Sequence, residues 1–446
     1  MRINKLFFCL LVAAVVFNYI DRPSYAGEID ILLQKLVDKG ILSPGEAQEI
    51  KTETQEQVKK EIAQGKYSNL PEWIQKMKFK GDFRLRYQYD HEKNIGTNAS
   101  KTDRQRGRFR LRLGIETKPN DKILAAVGIA SGKTADPRST NQTFQDAFDK
   151  KPVILDYAYV QYSPKPWVNL IGGKMKNPLW EPGDLIWDTD ITPEGGSLNF
   201  SKKLNSKTAL FLNTGVFVID ENNSGSGDDD DPILYTVQPG IEYAATDTVK
   251  LKAAFSYYNF SNVKGRTLDY GSGTNSAVGG KLINDYAAFI PAAEISITEP
   301  LKPLSQFLPS FLEIPYFAIF AEYVVNPLKK NDLSDSATII RYDGRNTGYM
   351  LGFKLGAAKI EKWGDWQFKY NYAKLSKDAI PDILPDSDRY GGKTGIKAHE
   401  AVLEYGLGKN TWLSIDYYYA EQLKGNFRST QSKPASVVQV DWNLKW

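Results

Sequence analysis

From Phe79 to the end of the chain, hydrophobic and polar residues alternate at every second position in short segments. A period of two predicts β-strands, because successive side chains of a strand point to opposite faces. The last segment is the clearest case, with Val440 and Trp442 on one side and Gln439 and Asp441 on the other. The same pattern predicts sixteen strands, near residues 79–89, 105–117, 122–131, 154–163, 167–173, 195–202, 207–219, 233–245, 248–260, 284–298, 313–326, 344–358, 363–376, 397–408, 410–421 and 435–446.

The connectors between these segments alternate in length. Most even-numbered segments are followed by tight turns such as 119–121 and 204–206, and most odd-numbered ones by long stretches rich in Gly, Asn, Asp and Ser. Connector 299–312 breaks the rule. Alternation of this kind is typical of outer-membrane barrels with periplasmic turns and external loops. The predicted fold class is therefore all-β, a 16-stranded antiparallel transmembrane β-barrel over residues 77–446, preceded by a short N-terminal helical segment.

Residues 27–76 follow a helical period instead. Leu32, Leu33 and Leu36 share one face of a first helix, and Ser43 with Glu46 three residues later forms the start signal of a second. The segment is too short to bury a core of its own. We predict a periplasmic helical hairpin or coiled-coil segment that packs on a partner, on a copy of itself or under the barrel, with a mobile spacer as the alternative.

The first 26 residues have the layout of a secretory signal peptide. Arg2 and Lys5 precede an apolar run over residues 6–17, and small residues lead up to Ala26, where we expect cleavage. The run is shorter than the roughly 20 apolar residues that a transmembrane helix needs. The only cysteine, Cys9, lies inside this run, so we expect no disulfides in the mature protein.

Composition narrows the range of partners and chemistry. A formal net charge of +4 on 446 residues is close to balance, and together with export it argues against a nucleic-acid partner. Only His91 and His399 are available as imidazole bases, and the GxSxG, HExxH, CxxCH and phosphate-loop motifs do not occur. We therefore expect no enzyme activity, no cofactor and no metal site. The acidic run 225–231 is best interpreted as a solvated external loop, with a cation bridge to lipopolysaccharide as the alternative.

Arginine recurs at every second position in the first two predicted strands. Phe83, Leu85 and Phe109 alternate with these arginines, so each strand has an apolar and a basic face. Arginine facing lipid would cost about 2–4 kcal/mol each at mid-membrane, which assigns the basic face to the barrel interior. The predicted basic wall of the pore consists of Arg84, Arg86, Arg108, Arg110 and Arg112.

The third external connector, residues 174–196, combines acidic with apolar residues. Trp180, Leu185 and Trp187 are unusual in a loop that only contacts water. The acidic residues of this connector are Glu181, Asp184, Asp188, Asp190 and Glu194. An external lid or partner-binding loop is one interpretation of this composition, and a loop folded into the barrel is the other.

The signal peptide, the helical segment around LLQKLVDKGILSPGEAQEI, the alternating strands and the C-terminal aromatic residue resemble Gram-negative outer-membrane porins. The resemblance is to the "putative porin" group related to the phosphate-selective porins, and it extends over the mature chain. It implies location in the outer membrane among lipid and lipopolysaccharide, and assembly as a homotrimer. It also implies that residues 174–196 form the constriction loop, with its acids facing the channel, and that the outer-membrane assembly machinery reads Trp446.

The resemblance implies passive diffusion of small hydrophilic solutes or ions through a water-filled channel. A basic wall opposite an acidic loop would create a transverse field that favours small polar solutes over bulky apolar ones. The five arginines and the family kinship favour anions, although the five acids of the loop could cancel that preference. The alternative function is a structural barrel that sheathes or docks a partner protein, such as a multihaem cytochrome.

Overall fold

The computed structural model describes residues 28–63, 72–93, 101–221, 230–302, 314–328, 346–423 and 434–446. The predicted signal peptide and most of the acidic run 225–231 lie outside the described residues. The chain divides into two compact units, residues 1–75 and residues 76–446.

The first unit contains helices α1 (Glu28–Asp38), α2 (Pro44–Ala63) and α3 (Glu72–Gln75). The predicted start of α2 is confirmed: the Glu46 carboxylate accepts from the Ser43 backbone N–H at 2.8 Å, and the Ser43 hydroxyl accepts from the Glu46 N–H at 3.3 Å. This reciprocal capping satisfies N–H groups that have no partner inside the helix. None of the helices in the described ranges combines the length and apolar character needed to cross a bilayer.

The second unit confirms the predicted barrel. Sixteen long strands in the described residues each pair antiparallel with their neighbours in the sequence, and the first pairs with the last to close the sheet. These strands are β1 (Lys78–Lys93), β2 (Lys101–Asn120), β3 (Ile123–Ser131), β4 (Val153–Lys165), β5 (Val168–Lys174), β6 (Glu194–Lys203), β7 (Thr208–Val218), β8 (Ile233–Ala244), β9 (Val249–Ser261), β10 (Tyr286–Thr298), β11 (Tyr316–Val325), β12 (Thr347–Gly356), β13 (Trp366–Leu375), β14 (Ile396–Gly408), β15 (Thr411–Gln422) and β16 (Ala435–Lys445). Closure leaves no sheet edge, as a barrel in lipid requires.

The outer surface of the barrel carries the apolar residues of the alternating pattern. Side chains exposed at the middle of the strands include Leu85, Ile129, Val160, Leu170, Val216, Val237, Ile295, Ile319, Leu351, Leu403, Ile415 and Val440. On β16 the alternate residues Gln439, Asp441 and Asn443 are buried inside. Apolar groups outward and polar groups inward are the arrangement of a protein surrounded by lipid.

Long connectors gather at one end of the barrel, as predicted. The opposite end, where the C-terminus lies, has turns such as 121–122, 166–167 and 409–410. Four long connectors at the external end are named here in chain order: L2 (132–152), L3 (175–193), L5 (262–285) and L7 (376–395). The exceptional connector after β10 is described only at its two ends.

A hydrophobic core lies inside the barrel, which the polar-inward pattern of β16 did not predict. L3 contributes Leu185, Ile186 and Trp187, all buried, and the Trp187 ring packs edge-on against Phe217 and Tyr258 at 6.4 Å. The inward residues that join this core come from β7 to β15, and they include Phe217, Leu234, Tyr258, Phe260, Tyr286, Ile290, Phe320, Met350, Leu375 and Ile396. Half of the inner wall is therefore a packing surface for loops.

Closure of the barrel involves the last residue of the chain. Trp446 exchanges two backbone hydrogen bonds of 3.1 Å with Gly81 of β1. A side chain at Gly81 would place its Cβ 2.5 Å from the Trp446 ring, so the ring lies directly over the glycine. Only glycine permits this close approach of ring and backbone.

Replacing Gly81 with valine should therefore displace the Trp446 ring and weaken the contact between β1 and the C-terminus. Overpacking of this kind costs about 1–3 kcal/mol. The matched control is Gly172→Val, because a Cβ at Gly172 of β5 has no neighbour within 4 Å. Urea titration of the barrel folded in lipid vesicles measures the difference, and equal midpoints for the two variants would contradict the packing role of Gly81.

Candidate functional site

The basic wall forms on two neighbouring strands. In the antiparallel register of β1 and β2, Arg84 lies opposite Arg110, and Arg86 lies opposite Arg108. Arg112 lies opposite Asp82 in the same ladder. Their outward neighbours on these strands include Leu85 and Tyr87, both exposed. Five guanidinium groups thus share one inner face, a concentration of charge that needs compensation.

Arg86 is compensated most completely. Its Nε and one terminal nitrogen donate to the two carboxylate oxygens of Asp441 on β16, each at 2.8 Å, and its other terminal nitrogen donates to Asp388 of L7 at 3.2 Å. The Arg86 side chain is 2% exposed and that of Asp441 is 1% exposed. A bidentate pair of this kind fixes the guanidinium in one orientation.

Arg110 and Arg112 share two carboxylates. Both donate through Nε to Asp82, at 3.0 and 2.8 Å, and their terminal nitrogens lie 3.8 and 3.3 Å from Asp190 of L3. Asp190 also accepts hydrogen bonds from the backbone and hydroxyl of Thr140 in L2. The acidic loop therefore meets the basic wall at Asp190.

The other two arginines donate to neutral side chains. Arg108 donates to the side-chain oxygen of Gln88 at 2.8 Å and to the Ser139 hydroxyl at 3.3 Å, and Arg84 donates to the side-chain oxygen of Asn443 at 3.0 Å. Arg84 also lies 3.2 Å from Asp441, the carboxylate held by Arg86.

The remaining four acids of the predicted loop have four different sets of partners. Asp188 accepts from the backbone N–H groups of Asp190 and Ser387 at 2.9 and 2.8 Å. Asp184 accepts from Arg389 of L7 at 2.6 Å, so its partner is a residue outside the predicted basic wall.

Glu181 and Glu194 lie away from the basic wall. Glu181 accepts from the Tyr258 hydroxyl at 3.2 Å, and burial together with the nearby Glu322 raises its pKa. Glu194 is the first residue of β6 and not part of L3, since pairing of β5 with β6 brings it beside Lys174 at 2.9 Å. The predicted acidic face of the loop is therefore split between several contacts.

L7 is the part of the site that sequence reasoning missed. It folds inward beside L3, and the Asp188 N–H donates to the Leu384 carbonyl at 2.8 Å while the Ser387 N–H donates back to the Asp188 carboxylate. Ile380 and Leu384 of L7 are buried in the same core as L3. L3 was singled out because it is a connector that contains apolar residues. L7 also contains apolar residues, so the same criterion would have predicted that it folds inward.

Burial and neighbouring charge act in opposite directions on the acids of these loops. Burial, followed by Asp190, raises the pKa of Asp188 to about 7, although two N–H groups oppose the shift. Burial and Asp184 raise the pKa of Asp386 well above its usual range. Burial would raise the pKa of Asp184 too, but Arg389 and Lys369 outweigh it and hold this pKa below its usual range. Only part of the acid is therefore ionised near neutral pH.

A narrow polar cavity lies between the basic wall and the two loops, and we call it the constriction cavity. Its volume is about 140 Å³. It is lined by Arg84, Arg86, Arg110, Arg138, Ser139, Asn141, Asp184, Asp188, Thr189, Asp190, Asp386, Ser387, Asp388, Asp416 and Tyr418. A cavity of about 350 Å³ toward the external end shares Ser139, Ser387 and Asp388 with it. A cavity of about 780 Å³ that includes Trp446 shares Thr189 and Asp190 with it.

The chain matches the model of the protein family described as "Putative porin" over residues 46–100, 90–290 and 318–446. These ranges include most of α2 and of the barrel strands. The chain belongs to this family. None of the curated protein sequences matches it.

Solved structures similar to this porin are outer-membrane proteins. OprB of Pseudomonas putida superposes with a TM-score of 0.51 at 11% identity, over 84% of this chain and 96% of that chain. The DcaP channel of Acinetobacter baumannii gives 0.45 at 13% identity over 83% and 97%. OmpF of Salmonella typhi in complex with daunomycin gives 0.43 at 12% identity over 82% and 97%. The OprB superposition supports the same barrel fold for the porin.

Family and fold together identify the porin as an outer-membrane channel for small solutes in a Gram-negative bacterium. Proteins of this kind are channels and are generally not enzymes. The constriction cavity has the smallest volume of these three cavities, which share lining residues with it.

The ion pair between L7 and L3 offers a direct test of loop anchoring. Arg389 donates to Asp184 at 2.6 Å and to Glu400 at 2.9 Å, with little exposure of any partner. Replacing Arg389 with glutamine should leave these carboxylates short of positive charge, a loss of about 3–5 kcal/mol for a buried pair. Trypsin should then cleave the L7 lysines faster than in the unaltered porin.

The control is Lys397→Gln, which removes an exposed contact to Glu421. Cleavage of L7 should be unchanged in this control. Equal cleavage rates in Arg389→Gln and the unaltered porin would show that L7 does not depend on this pair.

Proposed function

We propose that the porin is a passive diffusion channel whose constriction lies between the basic wall on one side and L3 and L7 on the other. The observation that carries the proposal is the constriction cavity, a small polar space that shares lining residues with a wider cavity at each end. Small hydrophilic solutes would pass it by exchanging their hydration for charged side chains, which is how porin constrictions select. Catalysis and a resident cofactor are not part of this proposal.

Once its carboxyl groups are ionised, the charges of the constriction cavity argue for a cation preference, in place of the anion preference that the five arginines alone favour. Its four guanidinium groups belong to Arg84, Arg86, Arg110 and Arg138. Its six carboxyl groups belong to Asp184, Asp188, Asp190, Asp386, Asp388 and Asp416. Because several arginines are paired with carboxylates, little positive charge is left to attract an anion.

A transverse field remains part of the proposal. Arg84, Arg86 and Arg110 extend from the barrel wall, whereas Asp184, Asp188 and Asp190 belong to L3. Separation of opposite charges across a small polar space favours solutes that are themselves dipolar and disfavours apolar ones.

The alternative, a barrel that sheathes or docks a partner protein such as a cytochrome, requires an open bore. Buried residues of L3 and L7 share one core with the inner wall, so much of the bore is already occupied. This observation favours small solutes over a protein as the occupant of the porin.

Assembly is proposed from the family resemblance. The porin would form homotrimers in contact with lipid and lipopolysaccharide, and the assembly machinery would read Trp446, whose side chain is exposed. Cross-linking in native outer membranes that yields monomers alone would contradict the trimer. An unchanged yield of folded barrel after deletion of Trp446 would contradict the assembly signal.

Planar-bilayer recording of the purified porin tests the channel itself. We expect stepwise KCl conductance from the isolated protein, and a larger step when Arg389→Gln releases L7 from L3. Arg84→Ala combined with Arg110→Ala should move the reversal potential in a salt gradient toward cations, because two lumen cations are lost. Absence of conductance without a partner would overturn the proposal in favour of the sheath.

Selectivity should depend on pH through Asp188. Its pKa is raised to about 7, so the group is neutral below this pH and negative above it. The cation preference should therefore increase as the pH rises through about 7. Asp188→Asn should flatten this part of the profile, since the amide carries no charge at any pH. A profile in the variant equal to that of the unaltered porin would exclude Asp188 as the titrating group.

A further inference from the structure

Two carboxylate oxygens around the constriction cavity lack a partner in the described structure. Asp386 is 9% exposed, and its Oδ2 is buried without a hydrogen-bond partner, while its Oδ1 accepts from the Asp388 N–H at 3.0 Å. Oδ1 of Asp416 in β15 is also buried without a partner. Both residues line the constriction cavity. Buried carboxylate oxygens without donors are costly, so the pair favours a bound group that donates hydrogen bonds.

The three arginines of the basic wall that line this cavity differ in exposure. The Arg84 side chain is 21% exposed, compared with 2% for Arg86 and 8% for Arg110. Arg86 is held by Asp441 and Asp388, and Arg110 by Asp82, so both have their charge directed at protein carboxylates. Of these three wall arginines, Arg84 is therefore the one that a solute can reach best.

We propose that the constriction cavity binds small zwitterionic amino acids, with the ammonium group beside Asp386 and Asp416 and the carboxylate beside Arg84. An ammonium group has three hydrogen-bond donors, which suits two acceptor oxygens around one small cavity. A carboxylate suits the planar guanidinium of Arg84. This assignment deepens the proposed channel function and rests on it.

Zwitterions fit this lining better than ions of a single charge. A simple ammonium ion would satisfy the two acids but would lie close to Arg84 and be repelled by it. A simple carboxylate would satisfy Arg84 but would meet Asp386 and Asp416 in the same small space. One molecule that carries both charges avoids both repulsions, and the volume of about 140 Å³ limits it to a small side chain.

The pH dependence of binding follows from the surroundings of Asp386. Burial raises its pKa, as do Asp184, Asp188 and Asp388, while Arg389 opposes the shift. Asp416 of β15 is a further acidic group at the cavity. Below its raised pKa the carboxyl group of Asp386 is neutral and attracts an ammonium group weakly. Binding should therefore strengthen as the pH rises and Asp386 ionises.

Reduction of single-channel KCl conductance by added solute measures binding in the full porin. L-alanine is the zwitterionic probe, ethylammonium and propionate carry one of its charges each, and propionamide is neutral. We expect L-alanine to reduce the conductance at about tenfold lower concentration than either ion, because it makes charged contacts at both ends. Propionamide should have no effect at these concentrations.

Variants assign the two ends of the site. Asp386→Asn and Asp416→Asn, made singly, should each weaken the L-alanine effect about tenfold while the channel still conducts. Arg84→Gln should remove the advantage of L-alanine over ethylammonium. The matched control is Glu242→Gln, which also removes a carboxylate but one that pairs with Lys252 at 2.6 Å beside a different cavity.

The outcomes separate this inference from the channel proposal. A porin that conducts KCl and responds equally to L-alanine, ethylammonium and propionate retains its channel function but lacks the amino-acid site. An unchanged L-alanine effect in both aspartate variants would also overturn the site. If one of the two aspartate variants fails to fold, the other aspartate variant and Arg84→Gln still test the site, because each removes a different contact with the solute.

Discussion

Burial of apolar L3 residues against the inner wall is the constraint on which the interior depends. Leu185, Ile186 and Trp187 remove apolar surface from water by packing on inward residues of β7 to β12, including Phe217 and Phe320. A loop held there fills one side of the bore. The water-filled passage is consequently displaced toward the opposite side, where β15, β16, β1 and β2 carry charged residues inward.

Charge pairing then determines the character of that passage. The arginines face the barrel interior because lipid excludes charged groups from the outer face. Five unpaired guanidinium groups on one inner face would, however, repel one another. Asp82, Asp190, Asp388 and Asp441 neutralise them from the wall and from two loops. The passage is therefore rich in charge without carrying a strong net charge, a property suited to dipolar solutes.

The alternating pattern predicted most of the fold, because lipid outside and water inside impose opposite polarity on successive residues. It located all sixteen strands and the inward face of β1 and β2. It could not reveal the apolar half of the interior, since an inward Tyr258 or Phe320 is indistinguishable in sequence from a lipid-facing aromatic residue. The L7 contacts depend on Arg389 meeting Asp184, residues far apart in sequence that only barrel closure brings together. Glu194 was misassigned to the loop by one residue, since the start of β6 is set by its pairing with β5.

The bidentate contact between Arg86 and Asp441 joins the first strand of the barrel to the last. During biogenesis β1 is synthesised long before β16. Arg86 therefore cannot pair with Asp441 until β16 pairs with β1 and closes the sheet. Asp388, its second partner, also arrives late in the chain. An unfinished barrel at the membrane therefore carries an uncompensated cation on its open seam. Closure of the sheet and neutralisation of that cation are therefore one event.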